Sequence, residues 1–126
     1  MMSLRAISLM GLALLRTTTN AVPVSSAAAT PGFQVWADPE FSGKFKHYTG
    51  IAFDQCYTFG ADFPAGTPGG VSSIKADHLN ECRIFPGNDN DALWVIGSYH
   101  DLGNPEVGWD DRAQSFKCTY CPTCNN

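Results

Sequence analysis

Positive charge is scarce in this sequence of 126 residues. Only 16% of the residues are charged, against about 25% in a typical globular protein, and twelve acidic residues outnumber eight basic ones for a net charge of −4. Proteins that bind nucleic acid ordinarily cluster lysine and arginine to neutralise phosphates, so we expect no nucleic-acid partner. The Ala/Glu/Lys/Leu periodicity of a coiled coil is also absent, and the length leaves room for one domain.

Catalytic signatures are missing as well. The sequence contains no G-x-S-x-G nucleophile turn, no H-E-x-x-H zinc motif and no phosphate-binding P-loop. It therefore predicts a protein that is not an enzyme. One alternative stays open, a small secreted hydrolase such as a ribonuclease, whose general acid and base would come from scattered residues. These residues are Glu40, His47, Arg83, His100 and Glu106.

The N-terminus has the pattern of a secretory signal peptide. Arg5 precedes an apolar stretch from Ile7 to Leu15, and small and polar residues follow. That stretch is too short to span a bilayer, and no other apolar run reaches membrane length, so we expect no stable membrane insertion. We predict a signal peptide over 1–21 with cleavage as late as 29, a flexible segment over 22–31, a domain over 32–118 and a cysteine-containing tail over 119–126.

Cleavage of the signal peptide would leave a more acidic, secreted, extracellular protein. Removing Arg5 and Arg16 lowers the number of basic residues from eight to six, so the net charge becomes −6. In an oxidising compartment, the default state of the remaining cysteines is disulfide-bonded. Their odd number leaves one thiol free or paired with another molecule, and the pairing is open. The disulfide candidates are Cys56, Cys82, Cys118, Cys121 and Cys124.

The last three cysteines resemble half of a zinc site. Zinc takes four ligands in tetrahedral geometry, and no histidine stands at ligand spacing from this C-terminal group. We therefore interpret the segment as a structural tail held by disulfides.

Short apolar and aromatic runs alternate with Gly, Pro, Asn and Asp clusters from Pro31 onward. This pattern is typical of strands bounded by turns, and no later segment has a clear helical period. Placing Trp36 over Phe85 aligns Phe45 with Trp94, which indicates two copies of a four-stranded unit. The sequence thus predicts an all-β sandwich. Predicted strands cover 33–36, 44–48, 55–59, 71–76, 82–85, 92–96 and 114–118, with at most one short strand between 99 and 108.

The first copy contains an aromatic-x4-aromatic-x-Gly pattern at Trp36, Phe41 and Gly43. Glycine permits the positive φ of a sharp hairpin, and the aromatic rings pack over it. With this motif corner and its internal repeat, the chain resembles the βγ-crystallin family, and it is similar to small secreted fungal proteins. The resemblance implies two four-stranded Greek-key motifs that form a βγ-crystallin-like sandwich. The second copy, over 85–92, has lost the second aromatic residue and the glycine.

The family's second signature is Asn/Asp-Asn/Asp-x-x-Ser/Thr-Ser, which builds a calcium site. Residues 110–116 (DDRAQSF) depart from it only at Gln114, whereas residues 68–74 (PGGVSSI) keep the serines and lack both acids. The resemblance implies one weak calcium site, because calcium requires six to eight oxygen ligands. The alternative is an ordinary acidic turn at 110–111. The implied ligands are Asp110, Asp111, Gln114 and Ser115, with Glu40 or Asp38 from the corner of the other motif.

Five aromatic residues could line a face that binds a sugar or a protein. We expect core positions for all five, with Trp109 the first candidate for exposure, because it lies between a glycine and an aspartate. They are Trp36, Phe63, Trp94, Tyr99 and Trp109.

The sequence is therefore interpreted as a small secreted, disulfide-stabilised, non-catalytic protein. Its expected role is extracellular interaction with a protein or a glycan. The alternative within the same compartment is a secreted effector, toxin or antimicrobial protein.

Overall fold

The fold consists of eight short strands. The computed structural model describes residues 29–87 and 91–124. The predicted signal peptide and most of the predicted flexible segment lie outside these residues, as does part of the second motif corner. The strands are β1 (Phe33–Asp38), β2 (Ser42–Tyr48), β3 (Cys56–Thr58), β4 (Ser73–Ala76), β5 (Asn80–Phe85), β6 (Leu93–Val95), β7 (Ser98–Tyr99) and β8 (Ser115–Tyr120).

The strands form two antiparallel sheets that exchange a strand between the two halves of the sequence. Sheet A has the order β2-β1-β4-β7, and sheet B has the order β3-β8-β5-β6. Strands β1–β4 belong to the first copy and β5–β8 to the second, so each copy contributes its third strand to the sheet of the other. This arrangement confirms the predicted all-β sandwich of two Greek-key motifs. No helix among the described residues is long and apolar enough to cross a membrane.

Alternating burial along the strands defines the core between the sheets. In β5 every second residue is buried, starting at Asn80, and in β1 the buried positions start at Phe33. This period of two follows from side chains that point to opposite faces of a strand. At the centre, the ring of Phe116 lies 5.2 Å from that of Phe33 and 5.0 Å from that of Phe59. Other fully buried core residues are Val35, Phe63, Val71, Ile74, Ala76, Ile84, Val95, Leu102 and Ala113.

Four of the five cysteines form two disulfides. Cys82 and Cys118 are directly opposite each other on β5 and β8, and both are buried. Cys121 pairs with Cys124 in the tail, three residues apart. Cys56 is the free cysteine and is exposed on β3. The tail is also held by the backbone N–H of Cys121, which donates to the carbonyl of Leu79.

The aromatic residues follow the core prediction with one clear exception. Phe63 and Trp109 are buried, and Trp36 and Tyr99 are partly buried. The prediction is wrong for Trp94, whose residue surface is 50% exposed. The apolar run around it forms a strand in which Leu93 and Val95 face the core, so Trp94 must point to the outside.

The two disulfides are expected to differ in their contribution to stability. Cys82–Cys118 closes a loop with a sequence separation of 36, and Cys121–Cys124 one with a separation of 3. The chain-entropy relation gives about 4 kcal/mol for the longer loop and about 1.5 kcal/mol for the shorter one. Chemical unfolding of the Cys82→Ala/Cys118→Ala and Cys121→Ala/Cys124→Ala double variants measures both values. Cys56→Ala serves as the control that changes little, and equal losses in the two double variants would contradict the prediction.

Candidate metal site

The corner of the first motif is formed by stacked aromatic rings over a tight turn. The ring of Trp36 lies 5.0 Å from that of Phe41 and 4.9 Å from that of Phe45. Gly43 has a φ of 78°, and a Cβ at this position would collide with the carboxylate of Asp38. The glycine of the sequence pattern is therefore required twice, for its left-handed backbone and for the space that Asp38 occupies. The corner thus fixes the position of one acidic side chain.

Three further polar residues meet the corner from the start of β4 and from the turn before β8. The hydroxyl of Ser72 donates to the carboxylate of Asp110 at 2.7 Å. The backbone N–H of Asp111 donates to the carbonyl of Val71 at 3.1 Å, which places Asp111 beside the same strand. We refer to Asp38, Ser72, Asp110 and Asp111 as the acidic cluster.

Gly70 permits this close approach of the two segments. A Cβ on Gly70 would lie 2.9 Å from the Cα of Asp111, a separation that real Cβ atoms essentially never show. Asp111 itself has a φ of 56°, a backbone conformation that aspartate and asparagine tolerate better than most residues. The glycine that stands in the degraded first signature therefore has a structural role in the acidic cluster.

The electrostatics of the acidic cluster disfavour the ionised form of Asp111. Its pKa is raised above the ordinary value of 3.8, first by burial and then by the negative charge of Asp110, with a smaller effect of Asp38. Hydrogen bonds from Ser72 and from the backbone of Gly70 lower the pKa and offset only part of this rise. In addition, Oδ1 of Asp111 is buried with no hydrogen-bond partner among the described residues. A cation would supply both the missing partner and the missing positive charge.

The second serine of the first copy ties β4 to the corner. The hydroxyl of Ser73 donates to the carbonyl of Asp38 at 2.7 Å and accepts the backbone N–H of Phe41 at 3.1 Å. Ser73 is fully buried, and both of these bonds are partly buried. This pair of hydrogen bonds holds the corner against the strand that carries Ser72.

The structure places the other predicted ligands around the acidic cluster and not inside it. Gln114 lies over Gly87 at the turn after β5, and its backbone N–H donates to the carbonyl of Phe85. Ser115 follows in β8, opposite Phe85. Gln114 still lines the same open surface hollow as Asp110 and Asp111, with Pro68 on another side.

Glu40 has a different partner. Its carboxylate lies 2.5 Å from Nδ1 of His100, and its backbone N–H donates to the carbonyl of the same histidine at 2.6 Å. These contacts connect the first motif corner to the residue after β7. The side chain of Glu40 is thereby directed to His100 in this structure.

Ser72 is the member of the acidic cluster that the sequence prediction did not include. The prediction groups Gln114 and Ser115 with Asp110 and Asp111 because the four occupy the specified positions of one signature. The fold instead brings the acids of the second copy to the serine of the first copy. The two serines that survive at 72–73 in the degraded first signature were the available signal.

The hydrolase alternative requires its acid and base residues to converge. Glu40 and His100 do come together, but His47 lies 2.7 Å from Asp77 on another part of sheet A. Arg83 stacks over Trp94 on sheet B, with its guanidinium carbon 4.2 Å from the ring centroid. The set is therefore divided among different partners.

The tail brings a further group of metal-ligand types together. One ligand atom from each of Glu81, Cys121 and Cys124 lies within 4.8 Å of the others. Because the two sulfurs are joined in a disulfide, they offer no thiolate to a metal ion. Sulfur is also a poor ligand for calcium, which prefers oxygen.

Comparison with known proteins identifies the fold. Neither a protein-family model nor a curated protein sequence matches this chain. A solved structure from work on the evolution of the eye lens βγ-crystallin domain fold is similar over 78% of this chain and 94% of its own, with 18% identity and a TM-score of 0.55. The N-terminal domain of protein S is similar over 73% of this chain and 99% of its own, with 17% identity and a TM-score of 0.51.

A fungal protein has the same architecture. The Abundant Perithecial Protein from Neurospora crassa is similar over 73% of this chain and 40% of its own length, with 10% identity and a TM-score of 0.51. Identities this low show the fold alone. Together with the exchange of third strands between the two sheets, they establish that this chain has a βγ-crystallin-like fold.

Proposed function

We propose that this chain is a small secreted, non-catalytic protein with an extracellular interaction role, stabilised by two disulfides and by one weakly bound calcium ion. The observation that carries the calcium part is the buried carboxylate oxygen of Asp111, which has no partner among the described residues. The raised pKa of the same carboxyl, caused by burial and by Asp110, supports it. In the absence of a cation, the closeness of the carboxylates of Asp110 and Asp111 makes the free energy of folding less favourable.

The donor set of the acidic cluster suits calcium better than other common metals. Asp38, Asp110 and Asp111 offer carboxylate and carbonyl oxygens, and Ser72 offers a hydroxyl. Hard oxygen ligands and an open surface position that admits water are what calcium requires, since it takes six to eight oxygens. Imidazole and thiolate, which zinc prefers, are missing from the acidic cluster.

A single site is expected because only one of its two equivalents in the repeat is acidic. At the corresponding place in the first copy, Pro68 and Gly69 stand where the second copy has Asp110 and Asp111. A proline and a glycine provide no carboxylate. Gln114 lies over Gly87 and Ser115 is opposite Phe85, both outside the acidic cluster, and we propose that they contribute at most through water.

Secretion is supported by the cysteines and by the N-terminal pattern. Disulfides persist in oxidising compartments, and four cysteines of this chain are paired. The apolar stretch from Ile7 to Leu15 has the length of a signal peptide core. A non-catalytic role is supported by the division of the candidate acid and base residues among different partners.

Calcium is expected to raise the melting temperature of the oxidised protein. At about 100 times its dissociation constant a ligand adds roughly 2.7 kcal/mol, which corresponds to about 10–20 °C for a domain of this size. The measurement is a thermal melt in excess calcium and in chelator. In Asp111→Asn the shift is expected to disappear, because asparagine keeps the left-handed backbone and removes the charge.

Asp91→Asn is the matched control for this melt. It makes the same chemical change at an exposed carboxylate whose only described contact is with the N–H of Ala92, and it is expected to retain the full calcium shift. A wild-type protein with no shift at millimolar calcium would refute the calcium site, and an equal loss in both variants would show that the effect is not specific to the acidic cluster.

The metal-free protein is expected to lose stability as the pH rises through the titration of Asp111. Its folded pKa is raised above 3.8, so the stabilising contribution of the protonated form is complete below about pH 4 and is lost above it. In chelator, Asp111→Asn should therefore melt above the wild type at pH 7, and the difference should vanish near pH 3.5, at about the ordinary pKa. Melts of both proteins across this range give the difference directly. A wild type that is more stable than the variant at pH 7 in chelator would contradict the assigned direction.

A further inference from the structure

The outer face of sheet B carries an aligned row of side chains across all four strands. Trp94 on β6 is opposite Arg83 on β5, Arg83 is opposite Lys117 on β8, and Lys117 is opposite Cys56 on β3. These residues alternate with buried neighbours on their strands, so all of them belong to the solvent side. We refer to Trp94, Arg83 and Lys117 as the cationic row.

Folding alone does not account for the cationic row. Like charges directly opposite each other on neighbouring strands destabilise a sheet, and Arg83 and Lys117 stand in this relation. Among the described residues, neither side chain forms an ion pair, and the three ion pairs present involve other residues. Glu81 lies two residues before Arg83 on the same face, but its carboxylate is within 4.8 Å of the sulfurs of Cys121 and Cys124, and none of the ion pairs among the described residues joins it to either cation.

Trp94 orients the first cation and leaves an apolar surface beside it. The guanidinium of Arg83 lies over the indole, with 4.2 Å from its central carbon to the ring centroid. Trp94 remains 50% exposed in spite of this contact. A guanidinium held flat in this way presents its N–H groups as a fork, which matches the two oxygens of a carboxylate.

Hydroxyl groups flank the second cation. Ser115 and Thr119 lie two residues to either side of Lys117 on β8, on the same outer face, and Thr58 is opposite Ser115. All three are at least partly exposed. On one side of the cationic row the face therefore offers an aromatic surface, two cations one strand apart and the hydroxyls of Ser115 and Thr58. On the other side Glu81 is opposite Thr119, whose hydroxyl donates to Asp54 at 2.9 Å.

We propose that the outer face of sheet B binds an anionic polysaccharide that carries a carboxylate on successive sugar rings. The proposal rests on the extracellular interaction role and names the partner of that role. Each carboxylate would pair with one cation of the row, the apolar face of a ring would pack on Trp94, and sugar hydroxyls would bond to the side chains of Ser115 and Thr58. Neighbouring strands are about 4.8 Å apart, so the row presents one positive charge per strand.

A glycan fits this face better than an acidic peptide does. Extended peptides bind to sheets by adding a strand at an edge, but β5 and β8 both lie inside sheet B and their backbone groups are paired there. Only side chains remain available on the flat face. The acidic surface elsewhere on the protein repels a polyanion, so electrostatics would direct the ligand to the cationic row.

The test measures binding of polygalacturonate in calcium-free buffer at low salt, with Lys117→Glu as the main variant. This change replaces the pair of positive charges at Arg83 and Lys117 by a pair of opposite charges. We expect it to weaken binding at least tenfold and, at the same time, to raise the melting temperature by about 2–5 °C. Lys75→Glu is the matched control, because it makes the same charge change at an exposed position on the outer face of sheet A. It should leave binding within twofold of the wild type.

The outcomes separate this proposal from its competitors. Equal affinity of the wild type and Lys117→Glu for polygalacturonate would overturn it, as would an absence of binding by the wild type. Binding only to poly-glutamate, or only to vesicles of anionic phospholipid, would replace the glycan by a peptide or a membrane and would also overturn it. Because the assay contains no calcium, a failure of the calcium melt leaves this result unaffected, and Lys117→Glu should retain the wild-type calcium shift.

Discussion

The packing of Phe116 between the two sheets is the contact on which the rest of the structure depends. Its ring centroid lies within 5.8 Å of four other aromatic rings, those of Phe33, Tyr48, Tyr57 and Phe59. Three of these rings belong to strands of the first copy and the fourth, that of Phe59, directly follows one, while Phe116 belongs to the last strand of the second copy. The contact therefore joins the two halves of the sequence as well as the two sheets. For a domain with so few residues, a single shared core of this kind supplies most of the driving force for folding.

The exchange of third strands also explains why the acidic cluster contains residues from both copies. Because the two motifs are interleaved, the turn before β8 meets the start of β4, and the carboxylate of Asp110 reaches the hydroxyl of Ser72. Each copy has kept one of the two signatures and has a degraded version of the other. The intact corner of the first copy and the acid pair of the second copy face each other, so their carboxylates belong to one cluster.

Much of the fold could be predicted from the sequence, because short strands with period two and an internal repeat are local signals. Seven of the eight strands lie where the apolar runs indicate, within a few residues at their ends, and the eighth, β7, begins one residue before the segment 99–108 in which at most one short strand is predicted. The uniformly apolar run around Trp94 predicts a core position, because composition cannot reveal which alternate positions face outward.

For the acidic cluster, the sequence signature identifies Asp110 and Asp111 as a pair. Their partner Ser72 is not identified in this way, since it stands 38 positions earlier in the chain and is brought close only by the pairing of the motifs.

The short edge strands of the two sheets limit the addition of strands from other copies of this chain. Every sheet edge exposes backbone N–H and C=O groups that can add a strand from a neighbouring molecule. In this structure three of the four edge strands, β3, β6 and β7, contain only two or three residues, too few for a stable added ladder. The remaining edge, β2, is longer and carries Lys44 and Lys46. Short edges and the lysines on the longest one therefore oppose the growth of extended intermolecular sheets.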